Sequence, residues 1–229
     1  MFYGYGFDPT YIILIPAILF AAYAQSKINS TFNTYLGVRN SYGYTGYQVA
    51  RAILDQHGLR DIPIELVQGN LTDHYDPRNR VLRLSNTVYN GNSVASVGVA
   101  AHECGHAVQH QEGYVPLSVR NTIAPVASIG SNLSWVLVIA GLFFGMGVLI
   151  DLGILFFAAA VLFQLITLPV EYNASSRAIS MLTQYNLVPA DEVTPAKKVL
   201  SAAALTYVAA TIVAVMQLAR LLLIRGRRD

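Results

Sequence analysis

The sequence is poor in charge. Of its 229 residues only 12% are charged and 54% are hydrophobic, and the net charge is +2. A soluble domain carries about 25% charged residues, so roughly half of the usual charge is missing. The deficit lies outside residues 27–118, which have the composition of an ordinary soluble domain. This distribution indicates a membrane protein with one attached domain.

Two other scarcities exclude further classes of protein. Cys104 is the only cysteine, so the chain cannot form an internal disulfide and its fold needs no oxidising compartment. Basic residues are few and do not alternate with aromatic residues, which excludes a nucleic-acid partner. Asp8, rather than a cationic segment, precedes the first apolar run. The N-terminal segment is therefore predicted to be an uncleaved membrane anchor and not a signal peptide.

Long apolar runs predict four transmembrane helices. The first run is Tyr11–Ala24. Residues 128–169 are too long for one span, and Asp151 with nearby glycines divides them into two spans of roughly twenty residues each. The fourth run is Ser201–Ile224, in a helix that Thr194-Pro195 begins as N-cap and first helical position. The predicted fold class is therefore a mainly α membrane protein with about four transmembrane helices.

A small α+β domain is predicted between the first two apolar runs. Thr45 begins a helical pattern that Gly58 ends. Strand patterns follow at Ile62–Val67 and at residues 81–84, and the second comes directly after the turn sequence of residues 76–79. We expect these segments to form a small antiparallel sheet of two or three strands.

The helix after this sheet carries the chemical motif. Ser93 is placed to cap it and Gly113 to end it, so the helix is predicted over Val94–Gln111. Within it, His102-Glu103-Cys104-Gly105-His106 matches H-E-x-x-H. Residues four apart share one face of a helix, so both imidazoles can reach one tetrahedral metal ion, and Glu103 lies beside that face. The motif predicts a zinc hydrolase in which His102 and His106 bind zinc and Glu103 is the catalytic base.

Two nearby residues are poor candidates for a third zinc ligand. His110 lies eight residues after His102, which is about 12 Å of helix axis, whereas zinc–nitrogen bonds are about 2 Å. Both histidines therefore cannot bind the same ion, and His110 is expected on the helix surface. Cys104 points about 200° away from His102 on a helix, so it is interpreted as a small packing residue.

The acidic residues leave the third ligand open. Glu112 lies too close along the motif helix, Glu65 lies in a strand pattern and Glu192 lies in a loop beside a proline. Glu171 directly follows an apolar span, and the only cation near it in the sequence is Arg177. An acid at that position is either functional or an interfacial carboxylate in contact with water.

Three segments together resemble the YugP-like membrane zinc metallopeptidases. They are residues 102–106, the hairpin sequence Thr72-Asp73-His74-Tyr75-Asp76 and the sequence Leu168-Pro169-Val170-Glu171-Tyr172-Asn173-Ala174-Ser175. The chain is more distantly similar to HtpX and the CAAX prenyl endopeptidases, which pair H-E-x-x-H with a later E-x-x-A-D. The resemblance covers most of the chain and implies a gluzincin-like zinc-peptidase domain with Glu171 as the third ligand. Ser175 stands where the distant relatives carry an aspartate that orients a ligand histidine.

The predicted mechanism follows from this ligand set. Two neutral imidazoles and one carboxylate leave zinc a net positive charge, which lowers the pKa of its bound water towards about 7. Glu103 then takes the proton and delivers it to the leaving amine. Further candidates for contacts with the oxyanion or the substrate are His74, Tyr75 and Arg177. We predict an endopeptidase that binds one Zn²⁺ per chain and hydrolyses peptides or membrane proteins near the lipid bilayer.

Three other functions fit the sequence less well. A zinc-binding scaffold without hydrolysis would not need Glu103. A site-2-type intramembrane protease would use Asp151 as a ligand, but residues 109–112 make the motif helix too polar for a membrane span. A transporter would need a polar pathway, and the apolar runs hold too few ionisable residues to form one.

The predicted organisation has five parts along the chain. These are an N-terminal membrane anchor (1–26), a peptidase domain with the hairpin and motif helix (27–118), two transmembrane helices (119–170), the third-ligand helix and its loop (171–193) and a C-terminal transmembrane helix (194–229).

Basic residues near the span ends predict the orientation. The positive-inside rule favours a cytoplasmic active site in a bacterial cell membrane, although the C-terminal cluster Arg225, Arg227 and Arg228 opposes it. The residues on the side of the site are Lys27, Arg39, Arg120, Arg177, Lys197 and Lys198.

Overall fold

The computed structural model describes residues 9–226. Asp8, Arg227 and Arg228, which enter the predictions about the anchor and the orientation, lie outside the described residues. The chain forms two compact units. Of the described residues, the first unit contains residues 9–24, 119–167 and 207–226. The second unit contains residues 25–118 and 168–206.

Four helical segments of the described chain are long and apolar enough to cross a membrane, which confirms the predicted fold class. They are Pro9–Leu36, Val115–Phe144, Gly147–Gln184 and Ala190–Gly226. The first consists of a 3₁₀ turn, Pro9–Leu14, and helix α1, Ile15–Leu36. The other three are named α5, α6 and α7 in the same order.

Helices α5 and α6 are separated earlier in the chain than predicted. The break falls at Gly145, whose φ of +69° is left-handed and ends α5. Asp151 instead lies inside α6, where its carboxylate binds the Arg225 guanidinium at 2.7 Å. An acid with a cationic partner can remain in an apolar helix, so Asp151 does not divide the two spans.

Helices α6 and α7 are both longer than their sequence patterns predict. Helix α6 continues without a break through Pro169 to Gln184, so Glu171 does not begin a new helix. Helix α7 begins at Ala190 and not at Thr194. Acidic side chains in a first turn suit the positive end of the helix dipole, and Asp191 and Glu192 occupy that turn. Glu192 is therefore helical, and the predicted loop ends before it.

The second unit contains the predicted α+β domain. Helix α2, Gly46–Gln56, begins at Thr45, which forms a reciprocal capping box with Gln48. Three strands follow: β1 (Ile64–Val67), β2 (His74–Asp76) and β3 (Val81–Ser85). A short helix α3, Asn86–Tyr89, leads to α4, Val94–Gln111, whose bounds are the predicted ones.

The sheet is mixed, so the expectation of a purely antiparallel sheet is wrong. Its order is β1-β3-β2, with β2 antiparallel to β3 and β1 parallel to β3. The residues between β1 and β2 carry the chain past the position that β3 occupies. Strand β3 therefore lies in the centre of the sheet and β2 lies at an edge. The apolar face of α2 packs in one core with β3 and α4; fully buried members of this core include Ile53, Leu54, Leu82, Leu84 and Ala100.

Candidate metal centre

Three potential ligands from two helices of the second unit converge at one point. His102 and His106 lie one turn apart on α4, and Glu171 lies on α6. The Nε2 atoms of His102 and His106 are 3.3 and 3.6 Å from Glu171 Oε2, and the three ligand atoms lie within 4.8 Å of one another. A tetrahedral zinc ion with bonds of about 2 Å holds its ligand atoms about 3.3 Å apart. The two distances to Glu171 Oε2 are close to this value.

The second nitrogen of each imidazole has its own polar contact. His106 Nδ1 lies 2.9 Å from Gln109 Oε1, and His102 Nδ1 lies 3.1 Å from Ser175 Oγ. Both rings therefore direct Nε2 towards Glu171. Ser175, where the chain departs from the distant relatives, supplies the contact to His102 through its hydroxyl group.

Glu103 lies beside this group in a buried position. Its Oε2 accepts a hydrogen bond of 3.1 Å from the backbone N–H of Tyr75 in the edge strand β2. Burial raises the pKa of Glu103 to about 7, and the negative charge of Glu171 adds to the rise. A raised pKa suits a carboxyl group that has to accept a proton and later release it.

The comparisons with known proteins agree with a metal site formed by His102, His106 and Glu171. A family model described as "Putative neutral zinc metallopeptidase" matches residues 10–226. The chain belongs to this zinc metallopeptidase family. It is also 49% identical over 212 residues to "Putative membrane protease YugP" of Bacillus subtilis (strain 168). The aligned residues make up 93% of this chain and 94% of that protein. No solved structure matches the chain. The predicted resemblance is thus confirmed.

Family membership and donor chemistry point to the same metal. Two neutral imidazoles and one carboxylate are the ligands of many catalytic zinc sites, in which a fourth position stays open. In this member of the zinc metallopeptidase family, His102, His106 and Glu171 are the residues that would hold the ion. Among the described residues they are the group of three whose ligand atoms lie close enough to do so.

The remaining predicted site residues make other contacts. His74 is exposed, and its Nδ1 lies 2.8 Å from the Thr72 carbonyl oxygen. Tyr75 approaches the site with its backbone, whereas its hydroxyl lies 2.8 Å from His110 Nδ1. Arg177 pairs with Glu112 at 2.7 Å. Contacts of these residues with an oxyanion or a substrate remain predictions.

His110 and Cys104 lie outside the ligand group, as the helix geometry predicts. His110 is exposed and binds Tyr75. Cys104 is fully buried, and burial raises the pKa of its thiol well above the ordinary value. Its Sγ lies 3.6 Å from the carbonyl oxygen of Ala50, so the side chain packs between α4 and α2.

Sequence reasoning missed one residue of the site, Gln109. In the sequence it belongs to the polar stretch 109–112 of the motif helix, yet its side chain is fully buried. The available signal was its spacing, because a residue three positions after His106 lies on the same helix face. A polar residue at that position on a buried face needs hydrogen-bond partners.

The motif glycine sets the distance between the two ligand-bearing helices. A Cβ on Gly105 would lie only 2.7 Å from the backbone oxygen of Ala174. We expect Gly105→Ala to force α6 away from α4, to destabilise the protein by about 1–3 kcal/mol and to weaken zinc binding. Thermal unfolding and zinc titration in detergent measure both effects.

Gly98→Ala on the same helix is the matched control. Its Cβ would meet Ala196 at 3.7 Å, an ordinary contact, so no loss is expected. If both substitutions leave unfolding temperature and zinc affinity unchanged, the close approach at Gly105 does not constrain the site.

Proposed function

We propose that the protein is a membrane-bound, zinc-dependent endopeptidase. The observation that carries the proposal is the arrangement on α4 and α6: three zinc-type ligands converge, and a buried carboxylate follows the first of them in the sequence. Membership in a zinc metallopeptidase family supports this reading. An enzyme of this type needs a metal, an open coordination position and a base, and the donor set with Glu103 supplies the protein's part of that requirement.

Glu103 is proposed to carry the proton. Zinc, when bound, polarises the scissile carbonyl and lowers the pKa of water in the site. Glu103 takes a proton from the attacking water and passes it to the nitrogen of the leaving amine. The hydrogen bond from the Tyr75 N–H to Oε2 holds the carboxylate in place, which leaves Oε1 to receive the proton.

The substrate is proposed to be a peptide or membrane protein in an extended conformation. Strand β2 lies at the edge of the sheet, and the Tyr75 N–H in this strand already contacts Glu103. A peptide that adds to this edge would present its backbone next to the catalytic base. The curated relative is described as a membrane protease, and the four apolar helices suit an enzyme that works at the bilayer.

The site is proposed to face the cytoplasm of a bacterial cell. Lys27, Lys197 and Lys198 flank the apolar parts of α1 and α7, and they belong to the same unit as His102 and Glu171. An excess of lysine and arginine near span ends marks the cytoplasmic side. Labelling of single cysteines introduced at positions 40 and 229 of a Cys104-free protein tests this orientation.

Metal removal tests the enzymatic proposal. The purified protein is expected to contain one zinc ion per chain, because the described residues form one ligand group. A chelator should abolish cleavage of a fluorescent peptide library, and added zinc should restore it. His106→Ala should lose stoichiometric metal in elemental analysis, whereas His110→Ala should keep it.

Two outcomes would contradict this proposal. Full zinc content in His106→Ala would refute the ligand assignment. Zinc binding without any hydrolysis would instead favour a non-hydrolytic scaffold.

A further inference from the structure

Gln109 is a fully buried side chain whose polar atoms all point to specific partners. Its Oε1 lies 2.9 Å from His106 Nδ1. Its Nε2 donates to the backbone oxygen of Val170 at 2.9 Å and to Asn173 Oδ1 at 2.8 Å. The side chain therefore links a candidate zinc ligand on α4 with the residues directly around Glu171 on α6.

The orientation of the Gln109 amide follows from its neighbours. A backbone carbonyl can only accept a hydrogen bond, so the NH₂ group must face Val170. Asn173 Oδ1 also accepts a bond of 2.8 Å from Arg177 Nε, and a guanidinium can only donate. Arg177 thus fixes the orientation of the Asn173 amide. Asn173 and Val170 in turn fix the orientation of the Gln109 amide, and the oxygen of Gln109 then faces His106.

This orientation decides which nitrogen of His106 carries the proton. An amide oxygen only accepts, so His106 must donate through Nδ1. The neutral ring then has its lone pair on Nε2, the atom that faces Glu171 at 3.6 Å. A zinc ligand needs that lone pair, and a partner on the other nitrogen also fixes the plane of the ring.

We propose that Gln109 is a positioning residue that holds His106 in its metal-binding tautomer and orientation. This inference rests on the proposed zinc site but not on hydrolysis. Arg177, which pairs with Glu112 through Nη1, also donates from Nε to Asn173. A chain of hydrogen bonds therefore runs from its guanidinium through Asn173 and Gln109 to His106.

Zinc affinity, measured by competition with a chelator of known affinity, tests this role in purified full-length protein. Gln109→Met keeps the length of the side chain but removes the acceptor, and it should weaken zinc binding about 10- to 100-fold. Gln109→Glu keeps an oxygen opposite His106 Nδ1, but its second oxygen replaces the donor to Val170 and Asn173 with an acceptor, so zinc binding should be weaker than in the wild type and stronger than in the Met variant. The visible spectrum of the Co²⁺-substituted protein should change more in the Met variant than in the Glu variant.

Gln111→Met is the matched control. Gln111 lies on the same helix, is exposed and binds the backbone oxygen of His57, so its loss should leave zinc affinity unchanged. Unfolding temperatures of the metal-free variants separate a packing effect from an effect on the ligand. A role confined to bridging α4 and α6 would lower zinc affinity equally in the Met and Glu variants.

Two results would overturn the inference. One is a folded Gln109→Met protein that binds zinc within twofold of the wild type. The other, which decides the matter if Gln109→Met does not fold, is a loss of more than about 100-fold in a folded Gln109→Glu protein, which exceeds the effect of removing the acceptor altogether. A wild-type protein that binds zinc without cleaving peptides would refute the peptidase proposal and leave this test intact.

Discussion

Glu103→Gln is expected to abolish peptide hydrolysis while the protein keeps its zinc. Glutamine has nearly the same shape, and its amide oxygen can still accept the hydrogen bond from the Tyr75 N–H. It cannot take a proton from water, and loss of a general base typically costs about 10²- to 10⁴-fold in rate. Cleavage of a peptide library and elemental analysis of the same preparation measure the two properties together.

Glu65→Gln is the control for this substitution. Glu65 lies on β1, where its carboxylate pairs with Arg83 at 3.1 Å, and it is exposed. Its change should leave cleavage and zinc content at wild-type levels. Near-normal hydrolysis by Glu103→Gln would remove the base from the mechanism and favour the zinc-binding scaffold.

Glu171→Ala is expected to weaken zinc binding more than any substitution outside the ligand group. It would remove one of the three protein ligands proposed for the ion, and loss of a residue that only supports a ligand already costs about 10- to 100-fold in affinity. We therefore expect a decrease of more than about 100-fold in a metal titration in detergent. Glu171→Gln, which keeps one oxygen and removes the charge, should fall between the alanine variant and the wild type.

Asp151→Asn separates the proposed site from an intramembrane one. In the structure Asp151 pairs with Arg225, so its change should leave zinc affinity unaltered. A site-2-type protease would show the opposite pattern. A strong loss of zinc in Asp151→Asn, with normal affinity in Glu171→Ala, would overturn the ligand assignment.

Local signals in the sequence predicted the helices around the site well. The ends of α4 coincide with the predicted Val94–Gln111, and Ser93 accepts the expected hydrogen bond from the N–H of Ser96. The start of α2 at Thr45 was predicted from the same kind of signal. Caps act within about one turn of the chain, so neighbouring residues suffice to recognise them.

Signals from prolines and acids inside long helices were misleading. Pro169 and Asp151 both looked like boundaries, yet α6 contains both. A proline removes only one helix hydrogen bond, and a paired acid is tolerated in an apolar helix. Packing and ion pairing decide such cases, and neither can be read from the chain near the residue.

The parallel pairing of β1 with β3 is likewise set by how the connecting residues cross the sheet.

The sequence by itself determined that two candidate metal ligands share one helix face and that the chain belongs to the membrane class of proteins. The four-residue spacing of His102 and His106 puts both rings on one helix face, and the apolar runs are long enough to span a bilayer. The prediction of Glu171 as the third ligand depended on the family resemblance. Only the tertiary structure showed the contacts of Gln109, Ser175 and the Tyr75 backbone N–H. A single polar side chain or backbone group has no periodicity, so its role depends on which distant segment folds against it.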